Sequence, residues 1–276
     1  MKIIKYFFEF LFIITFFFIF KIIGYKNASN FGEFLGKKVG PFFRSKLKIQ
    51  ENLKNSNICN SEKDREILIK NMWGKYGRIL SEYIFLKEFR KNNLSKFCKI
   101  EGSEILDEIK KNNEQAVFIS GHFNNFELMA MHIEKSGIEL TAVYRPLNNK
   151  FLNPIMEYLR KKYICKNQIK KGVLGTKTLL KNFRNKTSIA LMIDQRVSEG
   201  IKSKFFDEDA LTTTIPAQFV KKYGAKIVPV YVERLKNHKL KIKIYKSLEF
   251  SKDDSVNSIT LSLNKIMEKM IIRNPD

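Results

Sequence analysis

The segment Ala116–Ala130 reads AVFISGHFNNFELMA: a short apolar run, then Ser-Gly-His, then Glu127 five residues after His122. A neutral imidazole can take a proton from a hydroxyl, while a carboxylate fixes its tautomer and stabilises the imidazolium that forms. On one continuous helix, residues five apart point about 140° away from each other. The two side chains can therefore meet only if His122 sits on a turn and Glu127 in the first turn of a following helix. Gly121 and the pair Asn124-Asn125 tolerate the backbone angles such a turn needs. The alternative for His122 is a polar residue at the end of a buried strand. His132 and His238, the other histidines, form no HxH or HExxH spacing, so no metal is expected.

Elements that could position this pair follow from the periodicity. Apolar or β-branched runs at 116–120, 140–144, 188–193, 226–232 and 240–245 alternate, over the first four, with helical segments near 125–136, 151–163, 173–184 and 215–223. That alternation predicts an α/β fold with a mixed, largely parallel sheet flanked by helices. In such sheets functional groups gather at the carboxyl ends of strands, which is where His122 falls. Ser61 to Asp64 can cap a helix running to about Phe89, and a last helix covers 253–272.

Tyr6–Ile23 (YFFEFLFIITFFFIFKII) is interrupted only by Glu9, Thr15 and Lys21. A helix of that length spans roughly the hydrocarbon of a bilayer. A secretory signal peptide is the rival, but it needs a shorter apolar run and a small-x-small cleavage site, which only Ala28-Ser29 loosely resembles. The reading is an uncleaved anchor over 1–24, a membrane-proximal helical region over 25–95 and an α/β core over 96–276. Phe31–Leu53 mixes aromatic and basic residues, with breaks at Gly36, Gly40 and Pro41. Lysines and arginines after the apolar run, including Lys37, Lys38, Arg44, Lys46 and Lys48, place the bulk of the chain in the cytoplasm by the positive-inside rule. Three widely spaced cysteines outside any CxxC suit a reducing compartment. The net charge of +23 suits nucleic acid, an anionic membrane or an acidic partner. The aromatic residues are mostly phenylalanines inside apolar runs, which does not suit base stacking, and no nucleic acid is expected.

ISGHFNNFELMA resembles the H-x4-D/E block of membrane-bound glycerolipid and lipid A acyltransferases, and its glutamate favours the lipid A lauroyl/myristoyl branch. MWGKYGRILSEY (72–83), VYRPLNNKFLN (143–153), KKG (170–172), LMIDQRVSEGIKSKFF (191–206) and TTTIPAQFVKKYGAKIVPVYVERL (212–235) resemble further blocks of that family in the same order. The resemblance implies a glycerol-3-phosphate acyltransferase-like fold at the bacterial inner membrane and acyl transfer from acyl carrier protein to a hydroxyl of a lipid A precursor, with no cofactor. His122 would be the general base and Glu127 its orienting carboxylate. Arg145, Asn149, Asp194 and Gln195 would contact substrate or shape the site, and Arg160, Lys171 and Arg196 are further phosphate candidates. The nearest alternative acceptor is a glycerophospholipid or another glycolipid, and the alternative of another class is a non-catalytic basic membrane protein. Asn124-Asn125-Phe126 stands where the family has Gly-Asn-Trp. Asp207-Glu208 replaces its glycine after the paired phenylalanines, and Lys204 its proline.

Overall fold

The computed structural model describes residues 2–42, 46–59 and 61–276. Phe43 and Arg44 of the basic aromatic stretch lie outside the described residues, as do the side chains of Lys46 and Lys48. The helices are α1 (Lys2–Val39), α2 (Lys46–Asn55), α3 (Glu62–Glu82), α4 (Leu86–Arg90), α5 (Ser103–Lys111), α6 (Glu127–Lys135), α7 (Leu152–Leu159), α8 (Val173–Arg184), α9 (Ile215–Tyr223) and α10 (Val256–Arg273). The strands are β1 (Cys98–Glu101), β2 (Ala116–Ser120), β3 (Leu140–Tyr144), β4 (Asn167–Lys170), β5 (Ser188–Met192), β6 (Ile201–Phe205), β7 (Glu208–Thr212), β8 (Lys226–Arg234) and β9 (Leu240–Ile244).

Seven strands form one sheet in the order β1-β9-β8-β2-β5-β3-β4, parallel throughout except where β8 meets β9. The expected mixed, largely parallel sheet is thus observed. Along β2, Phe118 faces one core while Val117 and Ile119 face the other, the period-two alternation of a strand buried on both sides. The first core joins the sheet to α1, α4, α5 and α6; the second joins it to α8, α9 and α10. β6 and β7 form a separate hairpin whose two-residue loop, Phe206-Asp207, has φ of 51° and 61°. Positive φ at both central residues is the requirement of a type I′ turn, which glycine or asparagine meets at less cost.

Helix α1 is broken at Gly24 (φ 78°, ψ 166°). The Phe31 ring lies 6.0 Å from Phe16 and 6.2 Å from Phe20, whereas Phe16 and Phe31 would be about 22 Å apart on a straight helix. The chain therefore turns back at Gly24. Beyond the turn, α1 crosses α3 at very close range: a Cβ on Gly32 would lie 2.5 Å from Gly77 O, and one on Gly36 would lie 2.2 Å from Trp73 O. Helix α3 starts, as expected, at Ser61, whose Oγ accepts the Asp64 amide hydrogen at 3.1 Å.

Candidate active site

β2, β5 and β3 are adjacent, so their carboxyl ends bring three distant loops together. After β2 comes His122, after β5 come Asp194 and Gln195, and after β3 comes Arg145. The Ile193 amide donates to Ser120 O at 2.9 Å and keeps the first two loops in step. Between them opens a cavity of about 470 Å³, whose lining includes His122, Phe126, Glu127, Arg145, Arg160, Lys171 and Gln195.

His122 is held by Asp194. Its Nδ1 lies 2.8 Å from Asp194 Oδ1, and its backbone N–H donates to Oδ2 at 3.0 Å. A carboxylate can only accept here, so the proton sits on Nδ1 and Nε2 keeps its lone pair. Among the described residues Nε2 has no protein partner. The Phe126 ring packs edge-on against the imidazole, centroids 4.8 Å apart. Gly121 permits the approach, since a Cβ there would sit 2.8 Å from the Phe123 ring and 3.3 Å from Asp194 Cβ.

Glu127 opens α6, where the helix dipole favours a negative charge. The expectation that it would hydrogen-bond His122 differs from what the structure contains: the Glu127 carboxylate is held elsewhere. Arg160 donates to Glu127 Oε1 from Nε at 2.9 Å and lies 2.8 Å from it through a second guanidinium nitrogen. Tyr83 donates its hydroxyl hydrogen to the same oxygen and accepts from Arg160 Nε at 2.8 Å. Arg160 itself lies between the rings of Tyr83 and Tyr144 and is carried by a π-helical turn, Arg160–Ile164, that follows α7. Burial pushes the Tyr83 phenol well above its usual range, and the Glu127 charge pushes it further. For Arg160, burial acts to lower the pKa, but Glu127 and then Tyr83 outweigh it and the net shift is upward. Burial and a hydrogen bond to Glu157 push Tyr144 up to about 12. Both phenols therefore stay protonated at neutral pH and can donate.

The turn between His122 and Glu127 has its own supports. Asn124 takes the left-handed conformation (φ 46°) and donates from Nδ2 to Val232 O at 3.3 Å. Asn125 donates to the buried Glu82 at 3.0 Å. Glu82 also accepts from Ser29 at 2.8 Å and forms a two-pronged pair with Arg234 at 2.8 and 2.9 Å. Helices α1 and α3 are thereby tied to the turn that carries His122.

The remaining sequence candidates divide. Arg145, Gln195 and Lys171 line the cavity, and Arg145 is exposed with no ion-pair partner among the described residues. Asn149 and Arg196 are not among the lining residues. The Asn149 side chain accepts the Phe151 and Leu152 amide hydrogens, each at 3.1 Å, at the start of α7, and donates to Tyr6 O at 2.8 Å. It fastens α1 to the loop after β3. Tyr83, a residue that sequence reasoning did not single out, is signalled only by its place in the SEY of the upstream block.

An imidazole with a free nitrogen, a buried carboxylate and several cations converging at the carboxyl ends of central parallel strands is the arrangement of an α/β enzyme. Comparison with known proteins then gives the family. The model for "Bacterial lipid A biosynthesis acyltransferase" matches residues 1–276. The chain is also 23% identical over 232 residues to "Lipid A biosynthesis acyltransferase 2" of Shigella flexneri, covering 80% of this chain and 72% of that protein. The chain belongs to the bacterial lipid A biosynthesis acyltransferases, and the reaction class is acyl transfer. Among the described residues, one N-terminal helix is long and apolar enough to cross a membrane.

Proposed function

We propose that this enzyme moves a fatty acyl chain from acyl carrier protein to a hydroxyl of a lipid A precursor, at the cytoplasmic face of the inner membrane. His122 is the general base. Its Nε2 removes the proton as the acceptor oxygen attacks the thioester carbonyl. The tetrahedral oxyanion collapses with loss of the carrier thiolate, which takes the proton back from the imidazolium. Asp194 sets the tautomer and stabilises the cationic ring. Glu127 assists from across the cavity, holding Arg160 in place and adding negative potential near the imidazolium. Arg145 and Lys171 face the phosphates of the acceptor or the developing oxyanion, and Gln195 borders the same space. The positive charge of the chain favours an acidic carrier protein and an anionic lipid.

The observation that carries this reading is the free Nε2 of a carboxylate-oriented histidine on the cavity wall. The test is an in vitro assay of purified protein with lipid A precursors, glycerophospholipids and a series of acyl carrier protein thioesters, read by mass spectrometry. Transfer to the lipid A precursor that is lost in His122→Ala, with unfolding temperature unchanged, supports it. Full turnover by that variant would remove His122 from the chemistry, and acylation confined to glycerophospholipids would remove the acceptor assignment.

A further inference from the structure

The apolar half of α1, up to Gly24, is held at both ends by the folded body: by the loop after β3 near its start, and near its end by α4, which is itself paired with α6 through Arg90 and Glu134 at 2.6 Å. Near its start, Asn149 donates to Tyr6 O at 2.8 Å, and the Phe151 ring lies 5.6 Å from Phe7. Near its end, Phe20 is buried and Lys21 pairs with Glu88. Tyr6 and Lys21 are about 22 Å apart along the helix axis. A helix that crosses a bilayer carries one end away from a cytoplasmic domain, beyond about 30 Å of hydrocarbon. A helix with both ends on one domain cannot do so.

Its outer face is nevertheless apolar. Phe10, Ile13, Ile14 and Phe17 turn toward the core, while Ile4, Phe8, Leu11, Phe18 and Ile22 are exposed. The one exposed hydroxyl on that side, Thr15, is bonded within the helix to Leu11 O. A continuous face of this kind has no place in water.

The stretch 147–174 adjoins this helix through Phe151. Of the seven exposed large apolar side chains beyond Leu80, five fall within it: Leu147, Phe151, Tyr158, Val173 and Leu174, the last two 72% and 79% exposed. The same stretch carries seven basic residues against one acidic residue, Glu157. Leu147 and Lys171 belong both to it and to the cavity lining. Apolar side chains interspersed with lysines match the hydrocarbon boundary and the phosphates of an anionic leaflet.

From these placements we infer that α1 lies in the plane of one membrane leaflet, turned back at Gly24, and that 147–174 rests on the same leaflet and frames the cavity mouth. The enzyme is then held on one side of the bilayer without crossing it. A lipid acceptor slides its headgroup into the cavity while its acyl chains stay in the leaflet. This inference rests on the enzyme acting on a membrane lipid, but its test needs no turnover, so it stays readable whichever acceptor is used.

The test uses the full chain with Cys59, Cys98 and Cys165 replaced, carrying either Lys2→Cys or Lys252→Cys, the latter a marker on the catalytic domain. Each is expressed in the inner membrane and treated with a membrane-impermeant maleimide, in spheroplasts and in inside-out vesicles. The expected result is that both cysteines label in inside-out vesicles and both are protected in spheroplasts. Labelling of Lys2→Cys in spheroplasts would establish a spanning helix and overturn the inference. A second measurement places an environment-sensitive fluorophore on Leu174→Cys in anionic vesicles. Blue-shifted emission quenched by doxyl lipid, absent from the same fluorophore at Lys252→Cys, is expected; an unshifted, unquenched signal at 174 would overturn the contact at the cavity mouth.

Discussion

Replacing Asp194 by asparagine separates the two carboxylates of the site. In the wild type, Asp194 Oδ2 accepts the backbone N–H of His122 while Oδ1 accepts from Nδ1. An asparagine must use its single oxygen for the backbone N–H, which leaves its NH₂ against Nδ1. The ring then accepts at Nδ1 and carries its proton on Nε2, the tautomer that cannot act as a base toward the cavity. General-base catalysis contributes about 10²–10⁴-fold, so kcat should fall by about 10³-fold, equivalent to about 4 kcal/mol in the barrier. KM for the acceptor and the unfolding temperature should hold, because Asp194 is partly exposed and its shape is kept. Glu127→Gln should behave differently. It leaves the largely buried Arg160 without a counter-charge, at a cost of about 3–5 kcal/mol in stability. The assay is steady-state acyl transfer beside thermal unfolding, with ¹⁵N NMR of the histidine ring reporting the tautomer. Near-wild-type kcat in Asp194→Asn, or an Nδ1-protonated ring in that variant, would refute the reasoning.

Other outcomes follow from the same geometry. A methyl group on Gly77 would lie 1.9 Å from Gly32 O, so Gly77→Ala should cost about 1–3 kcal/mol by overpacking, read as a lower unfolding temperature in detergent. Arg145→Ala should raise KM for a phosphorylated acceptor more than it lowers kcat, and should weaken the salt dependence of KM; an unchanged KM would place Arg145 outside the binding surface. Burial, and then Lys135, holds the His132 pKa below its usual value of 6.5. The unfolded chain therefore binds a proton that the folded chain does not, and stability should fall as pH drops below about 6.5. In His132→Gln that part of the acid loss should vanish, as measured by denaturant unfolding between pH 7 and pH 5.

The elements legible in the sequence are those whose burial is one-sided or complete. AVFIS, LTAVY and SIALM are central strands covered on both faces, and they read as near-continuous apolar or β-branched runs. The strands outside those expectations are edges or excursions. β1 (CKIE) and β4 (NQIK) end the sheet and are half polar, and the β6–β7 hairpin turns on Phe206-Asp207, which carries no glycine or asparagine signal. Helix α5 also falls outside the expected helices; it is nine residues long, with only Leu106 and Ile109 buried. His122, Arg145 and Asp194 could be placed at strand ends by pattern. Their neighbours could not, because the insertion of β5 between β2 and β3 is a property of strand order, which periodicity does not encode. The His122–Asp194 pair spans 72 positions and the Tyr83–Glu127–Arg160 cluster 77.

The five-residue spacing of His122 and Glu127 thus measures a turn. Asn124, in the left-handed region and bonded to Val232, reverses the chain, and Asn125, bonded to Glu82, fixes where α6 begins. His122 is left on the strand side, where Asp194 reaches it, and Glu127 falls on the helix side, where Arg160 and Tyr83 reach it. Glycine in place of Asn124 would supply the same backbone angle without the bond to β8. Phe126, one residue before α6, packs edge-on against the imidazole. Glu82 belongs to α3 and binds Ser29 of α1, so the same carboxylate that anchors the turn also joins these two helices. The turn that carries His122 and the packing of α1 on α3 therefore share one buried carboxylate, Glu82.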